Sequence, residues 1–136
     1  FHAPYNGLLK RVKYFSGDTW NVNPIALKRV EKLFCKNERA LLEIEVGKEA
    51  HKVALVPVAA VLVASIRLHA LDALFSAAYK GPLEISCNSP FQKGDELGWF
   101  QHGSTIIVFA PASFRLSGAI QEGKPIKMGE ALMELP

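Results

Sequence analysis

The sequence is short of most features that announce a function on their own. Its two cysteines, Cys35 and Cys87, are too few for a disulfide framework and match no metal-knuckle spacing. The four histidines, His2, His51, His69 and His102, form no His-Glu-x-x-His or His-x-His pattern, so spacing supports no metal site. A metal-dependent hydrolase would have to gather distant ligands such as His2, Asp18 and His102, and His51 and His69 read better as surface or satisfied histidines. There is no Gly-x-x-x-x-Gly-Lys loop and no Gly-x-Gly-x-x-Gly turn, which removes the usual signals for nucleotide phosphates. Charge of one sign is also lacking: 16 Lys+Arg against 13 Asp+Glu leave +3, which suits an anionic ligand but falls short of a nucleic-acid footprint. The longest apolar stretch, Val53 to Ala64, is about half the ~20 residues needed to cross a bilayer, and Pro57 interrupts it. Finally, the chain opens on Phe1 with no initiating Met or secretory signal, and is expected to be a piece of a longer translation product.

What is present fits one globular domain, expected over residues 1–136: 136 residues, 49% hydrophobic and 21% charged, with ten Gly and eight Pro as punctuation. Leu8–Phe15 mixes apolar and basic residues as a strand does, and Ser16-Gly17-Asp18 turns. Asn23-Pro24 offers an N-cap and a first-turn proline, and Leu27, Val30, Leu33 and Phe34 recur at helical spacing up to the break at Lys36–Arg39. Ala40–Val46 alternates cleanly, Gly47-Lys48 turns, and His51–Ile66 supplies strands apolar enough to be buried. Leu68–Ala78 suits either helix or strand, Leu83–Ile85 is strand-like, and Pro90–Gly94 reads as a turn. Ile106–Ala110 is a strongly β-prone run, and Gly123–Leu135 has a turn, short strand, turn, short strand rhythm. The expected fold is therefore mainly β (a β-rich α+β domain), a sandwich or open barrel with one or two short helices. Lys127-Met128 has the look of a carrier-protein hairpin, but too few residues follow it, and a solvated lysine is the better reading.

One tetrapeptide is chemically suggestive. In His102-Gly103-Ser104-Thr105, a glycine before a serine permits close approach of the hydroxyl to the Gly103 carbonyl, and an N-to-O acyl shift there needs a base such as histidine. Alone, such a triplet is commonly an ordinary turn entering a strand.

Several segments in order resemble the phosphatidylserine decarboxylase family. Phe1-His2-Ala3-Pro4 with Asn6-Gly7 is similar to the family's His-x-Pro segment, and Asn21-Val22-Asn23-Pro24 to its Val-Asn-Pro element. Leu33-Phe34 with Asn37-Glu38-Arg39 resembles its Leu-Phe-x-x-Asn-Glu-Arg element, and Val53–Ile66 its apolar strand pair. Lys93–Phe100 resembles its Lys-Gly-Glu-Glu run, and Gly103-Ser104-Thr105 its cleavage motif. The resemblance implies a self-processing proenzyme. Ser104 would be the processing nucleophile, Gly103 the cleaved carbonyl, His2 the processing base, and Thr105 a neighbour able to hydrogen-bond near the site. The ester formed at Ser104 would undergo β-elimination, and hydrolysis of the resulting dehydroalanine would leave a covalent pyruvoyl group. The larger chain would be residues 1–103 and the smaller 104–136.

The implied activity is a carboxy-lyase converting phosphatidylserine to phosphatidylethanolamine and carbon dioxide through a Schiff base, the pyruvoyl group serving as electron sink. The alternatives are a related pyruvoyl decarboxylase of a soluble amino acid, or an unprocessed lipid-binding pseudoenzyme. The implied partners are the amine substrate, the two chains of one proenzyme, a homodimer mate and a membrane surface, met peripherally through an upstream region; no nucleic acid or metal is implied. Localisation would be at a bacterial inner membrane or an organelle membrane. The family's processing acid and a second histidine are expected upstream of Phe1. His102 stands where leucine is frequent, and the glycines of the apolar pair are replaced around Pro57–Ala64.

Overall fold

The computed structural model describes residues 1–61, 65–102 and 104–136. Its body is a five-stranded antiparallel sheet, ordered β6-β1-β2-β3-β8, built from β1 (Gly7–Phe15), β2 (Arg39–Val46), β3 (His51–Val58), β6 (Glu84–Phe91) and β8 (Thr105–Phe109). A smaller sheet, ordered β5-β4-β7, contains β4 (Ile66–Leu68), β5 (Ala73–Phe75) and β7 (Gly98–Phe100). Strands β9 (Arg115–Leu116) and β10 (Met133–Glu134) pair only with each other. The mainly β expectation holds, as two sheets packed over one core that, among the described residues, do not close into a barrel.

Strand β2 shows why. Every second residue of Arg39–Val46 is buried, so Ala40, Leu42, Ile44 and Val46 form one apolar face. Leu42 stands opposite Leu55 on β3, and Ile44 opposite Val53, which extends that face across the sheet. Ile66, Leu68 and Phe75 of the smaller sheet close the core from the other side. Tyr14 of β1 stacks on Phe75 at a centroid distance of 4.9 Å, and Tyr79 meets Phe75 edge-on at 4.8 Å, so aromatic rings join the two sheets. At Gly98 a side chain would run into the Arg67 carbonyl of β4, so the close approach of these strands requires glycine there.

Three local expectations need correction. The single helix from Asn23 is two: α1 (Pro24–Arg29), capped by the Asn23 side chain accepting from the Ala26 amide at 2.8 Å, and α2 (Leu33–Lys36). Lys32 between them has φ of 54°, a left-handed conformation that ends any continuous helix. Pro90 is not in a turn; it lies within β6 opposite Leu8, on an edge strand where a proline is tolerated. In Gly123–Leu135 only Met133–Glu134 is a strand, and Lys127 and Met128 are exposed outside any strand. The ambiguous Leu68–Ala78 stretch resolves as the end of β4, a turn and β5. Of the apolar run Val53–Ala64, residues 62–64 lie outside the described residues.

Candidate functional site

Ser104 stands one residue before β8, half-buried, its hydroxyl donating to the His102 carbonyl at 3.2 Å. Gly103, its expected cleavage partner, lies outside the described residues. The surroundings of Ser104 are set by strand order. The chain leaves the smaller sheet after Phe100, opposite Ile66, and joins the larger one at Thr105, opposite Val58. Strands β3 and β4 make the reverse passage between the same two sheets, and the Ser65 hydroxyl ties the two passages by donating to Gln101 Oε1 at 2.8 Å. Ser104 thus sits where the chain crosses between layers, at the β3 end marked by Val58 and Ala59.

That end is held by buried polar groups. Asn37 is fully buried; its Nδ2 donates to the Trp20 carbonyl at 2.7 Å and the Ala59 carbonyl at 3.0 Å, while its Oδ1 accepts from the Trp20 amide at 3.0 Å. The Ala59 amide donates to the Glu38 carbonyl at 2.8 Å, continuing the β2–β3 ladder past its last paired strand residues. The Val61 amide donates to the Thr19 carbonyl at 3.0 Å, and the Glu38 amide to the Asp18 carbonyl at 2.8 Å. Glu38 itself is buried, and its Oε1 accepts from the Tyr14 hydroxyl at 2.7 Å. Burial pushes both groups up: the Glu38 carboxyl above the usual carboxylate range, partly offset by the Tyr14 hydrogen bond, and the Tyr14 phenol above its ordinary value.

His2 is placed by pairing with the chain just ahead of β7. It forms an isolated antiparallel bridge with Glu96, flanked by hydrogen bonds from the Ala3 amide to the Asp95 carbonyl (2.8 Å) and from the Leu97 amide to the Phe1 carbonyl (3.0 Å). Such flanking bonds make His2–Glu96 a non-hydrogen-bonded pair, the kind whose side chains lie closest. Glu96 also meets His69 Nε2 at 2.6 Å, and that hydrogen bond holds its carboxyl below the usual range. Among the described residues no hydrogen bond joins His2 to Ser104, and no three metal-ligating side chains group together, His2, Asp18 and His102 included. Thr105 pairs with Val58 across the β3–β8 ladder. His51 faces Glu49 at 3.4 Å and the Phe114 ring.

Reading the sequence singled out Ser104 and His2 but gave no separate role to Asn37, Glu38, Tyr14 or Ala59. The signal available for Glu38 was its place two positions before Ala40, on the buried register of β2.

A family model described as phosphatidylserine decarboxylase matches residues 1–134. Curated relatives include a mitochondrial phosphatidylserine decarboxylase proenzyme 2 of Schizosaccharomyces pombe, 31% identical across 97% of this chain and 28% of its own length. A phosphatidylserine decarboxylase proenzyme of Myxococcus xanthus is 32% identical, with 96% and 47% covered, and one of Saccharophagus degradans is 34% identical, with 98% and 48% covered. The chain therefore spans half or less of the length of these relatives. In sequence, this mainly β domain matches a family whose curated members are named as decarboxylase proenzymes. The chain belongs to the phosphatidylserine decarboxylase family.

Proposed function

We propose that this chain is the catalytic core of a carboxy-lyase that converts phosphatidylserine to phosphatidylethanolamine and carbon dioxide, matured by self-cleavage between Gly103 and Ser104. The observation that carries the reading is the convergence at Ser104. Three of the segments that resemble the family, those holding Asn37–Arg39, Val58–Ala59 and Ser104–Thr105, meet at one end of the larger sheet, tied by the Asn37 side chain and the β3–β8 ladder.

Ser104 carries the processing hydroxyl and is the source of the covalent pyruvoyl group; Gly103 provides the carbonyl attacked. A pyruvoyl group supplies an electron sink for carbon dioxide loss, which serine and carboxylate side chains cannot provide. The half-buried position of Ser104 fits such a group, being open enough to admit an amine and shielded enough to favour a neutral carbonyl. His2 is the proposed processing base, with Glu96 as its cross-strand neighbour. The amine-bearing lipid would be met at a membrane surface, with the protein peripheral on a bacterial inner membrane or an organelle membrane. Among the described residues no helix is long and apolar enough to cross a membrane.

The test is expression of the full-length gene with and without Ser104→Ala. Denaturing intact mass should show two chains for the natural sequence, the smaller beginning at position 104 with a pyruvoyl mass, and one chain for the variant. Carbon dioxide release from phosphatidylserine vesicles should vanish in the variant. Release from an uncleaved variant would overturn the pyruvoyl mechanism; turnover of free aromatic amino acids in place of lipid would reassign the substrate.

A further inference from the structure

Residues 19–36 leave the larger sheet and return to it, and the base of this excursion is fastened from both sides. Asp18 and Asn37 form an isolated parallel bridge, with the Asp18 amide donating to the Lys36 carbonyl at 2.8 Å. The Asn37 side chain grips the Trp20 peptide, donating to its carbonyl and accepting from its amide. The same Nδ2 donates to the Ala59 carbonyl, and Val58 stands opposite Thr105, so the excursion springs from the strand end that carries Ser104.

What projects from that base stands in solvent. No residue of α1 is buried, and its cap comes from within the excursion, through Asn23. Ile25 is 63% exposed, Leu27 is exposed with it, and Trp20 is 49% exposed although its Nε1 donates to Asp18 Oδ2 at 3.2 Å. Apolar side chains held out in water from a fixed base mark an interaction surface.

Charge selects the partner. Residues 19–36 hold Lys28, Arg29, Lys32 and Lys36 against Glu31 alone, a surplus equal to the +3 of the whole chain, and all four cations are exposed. The turn holding Ile126 and Met128 makes the contrast. Both residues are exposed, yet Lys124 and Lys127 are balanced there by Glu122 and Glu130. Six residues of helix are also too few for the i, i+3, i+4, i+7 anchors that a protein groove reads. A tryptophan and two aliphatic residues among a surplus of cations instead suit the headgroup layer of an anionic membrane, where the apolar groups bury and the cations meet phosphate.

We propose that residues 19–36 dock the protein on an anionic lipid surface, with Trp20, Ile25 and Leu27 entering the headgroup layer. The use of this docking, to bring lipid to the Ser104 end of the sheet, rests on the decarboxylase reading above.

The experiment places a polarity-sensitive dye on the full-length protein, its natural cysteines replaced by serine, at Ile25→Cys or, as control, at Met128→Cys. Vesicles of phosphatidylglycerol mixed with phosphatidylcholine should shift the emission to the blue at position 25 and leave position 128 unchanged. Vesicles of phosphatidylcholine alone should shift neither. Adding Lys28→Glu with Arg29→Glu should raise the lipid concentration needed for half the shift at least about tenfold, whereas Lys124→Glu with Lys127→Glu should not move it. Blue emission at position 25 before any vesicle is added overturns the proposal: dependence on protein concentration would assign the surface to a second copy, and independence to another part of the same chain. An equal shift on phosphatidylcholine alone, or no shift on either vesicle, also overturns it. A protein that docks through position 25 but releases no carbon dioxide from phosphatidylserine defeats the decarboxylase reading and leaves the docking surface in place.

Discussion

Two polar clusters in this molecule use similar residues under opposite conditions. At the Ser104 end of the larger sheet, Tyr14, Asn37 and Glu38 are buried, and nearly every polar atom they carry is matched to a named partner. Beside the smaller sheet, just past β4 and just ahead of β7, His69 and Glu96 make a shorter contact, at 2.6 Å, with both side chains 47% exposed. The shorter contact is the weaker one for stability, because water competes for both partners and screens their charge. The buried cluster has no such competitor, so each lost partner leaves a desolvated group behind. Distance alone does not rank interactions; the solvent on the other side of the exchange does.

That contrast breaks most decisively at Asn37. Asn37→Ala should leave the Trp20 and Ala59 carbonyls without their donor and cost on the order of 2–4 kcal/mol by urea denaturation. Tyr14→Phe should cost about 1–3 kcal/mol, since it deprives the Glu38 carboxyl of its one donor while keeping the ring against Phe75. The pH dependence sharpens the comparison, because the two carboxyls shift in opposite directions. Glu38 is raised, so the folded state holds its proton more tightly; its stabilising share is complete below the ordinary carboxylate pKa and is lost as pH rises through the folded value. Glu38→Gln should flatten that decline in denaturation midpoints measured from acid to neutral pH. Glu96 is lowered, so its share is present above the ordinary pKa and is lost as pH falls through the folded value. The smallest effect is expected there: Glu96→Gln should leave the midpoint at neutral pH within error, and a loss comparable to that of Tyr14→Phe would show that exposure does not rank these clusters.

How much of this was legible beforehand depended on whether the signal was local. The alternation of Ala40–Val46 and the β-prone Ile106–Ala110 run led directly to β2 and β8, because a strand with one buried face writes its period into its residues. The break between α1 and α2 was not legible: Leu27, Val30, Leu33 and Phe34 keep helical spacing across a lysine that only the backbone shows to be left-handed. Pro90 misled for a similar reason, since a proline marks a turn except on an edge strand, and edges are a property of the sheet. Ser104 and His2 stood out through motif resemblance, and the family is shown. The nearness of Asn37, Ala59 and Thr105 could not be read, because it exists only once three distant strands have settled their register.

The edge position of β8 has a mechanical consequence. Its backbone is laddered to β3 alone, from Ala54 opposite Phe109 to Val58 opposite Thr105, while Val108, Ala110 and Phe114 pack against the core. Severing the backbone just ahead of this strand would give two polypeptides whose union is an ordinary binding equilibrium, with β8 serving as the inserted peptide of a β-augmented complex. Dilution or gel filtration should then leave the fragments together, and only a denaturant able to strip a strand from its sheet should part them.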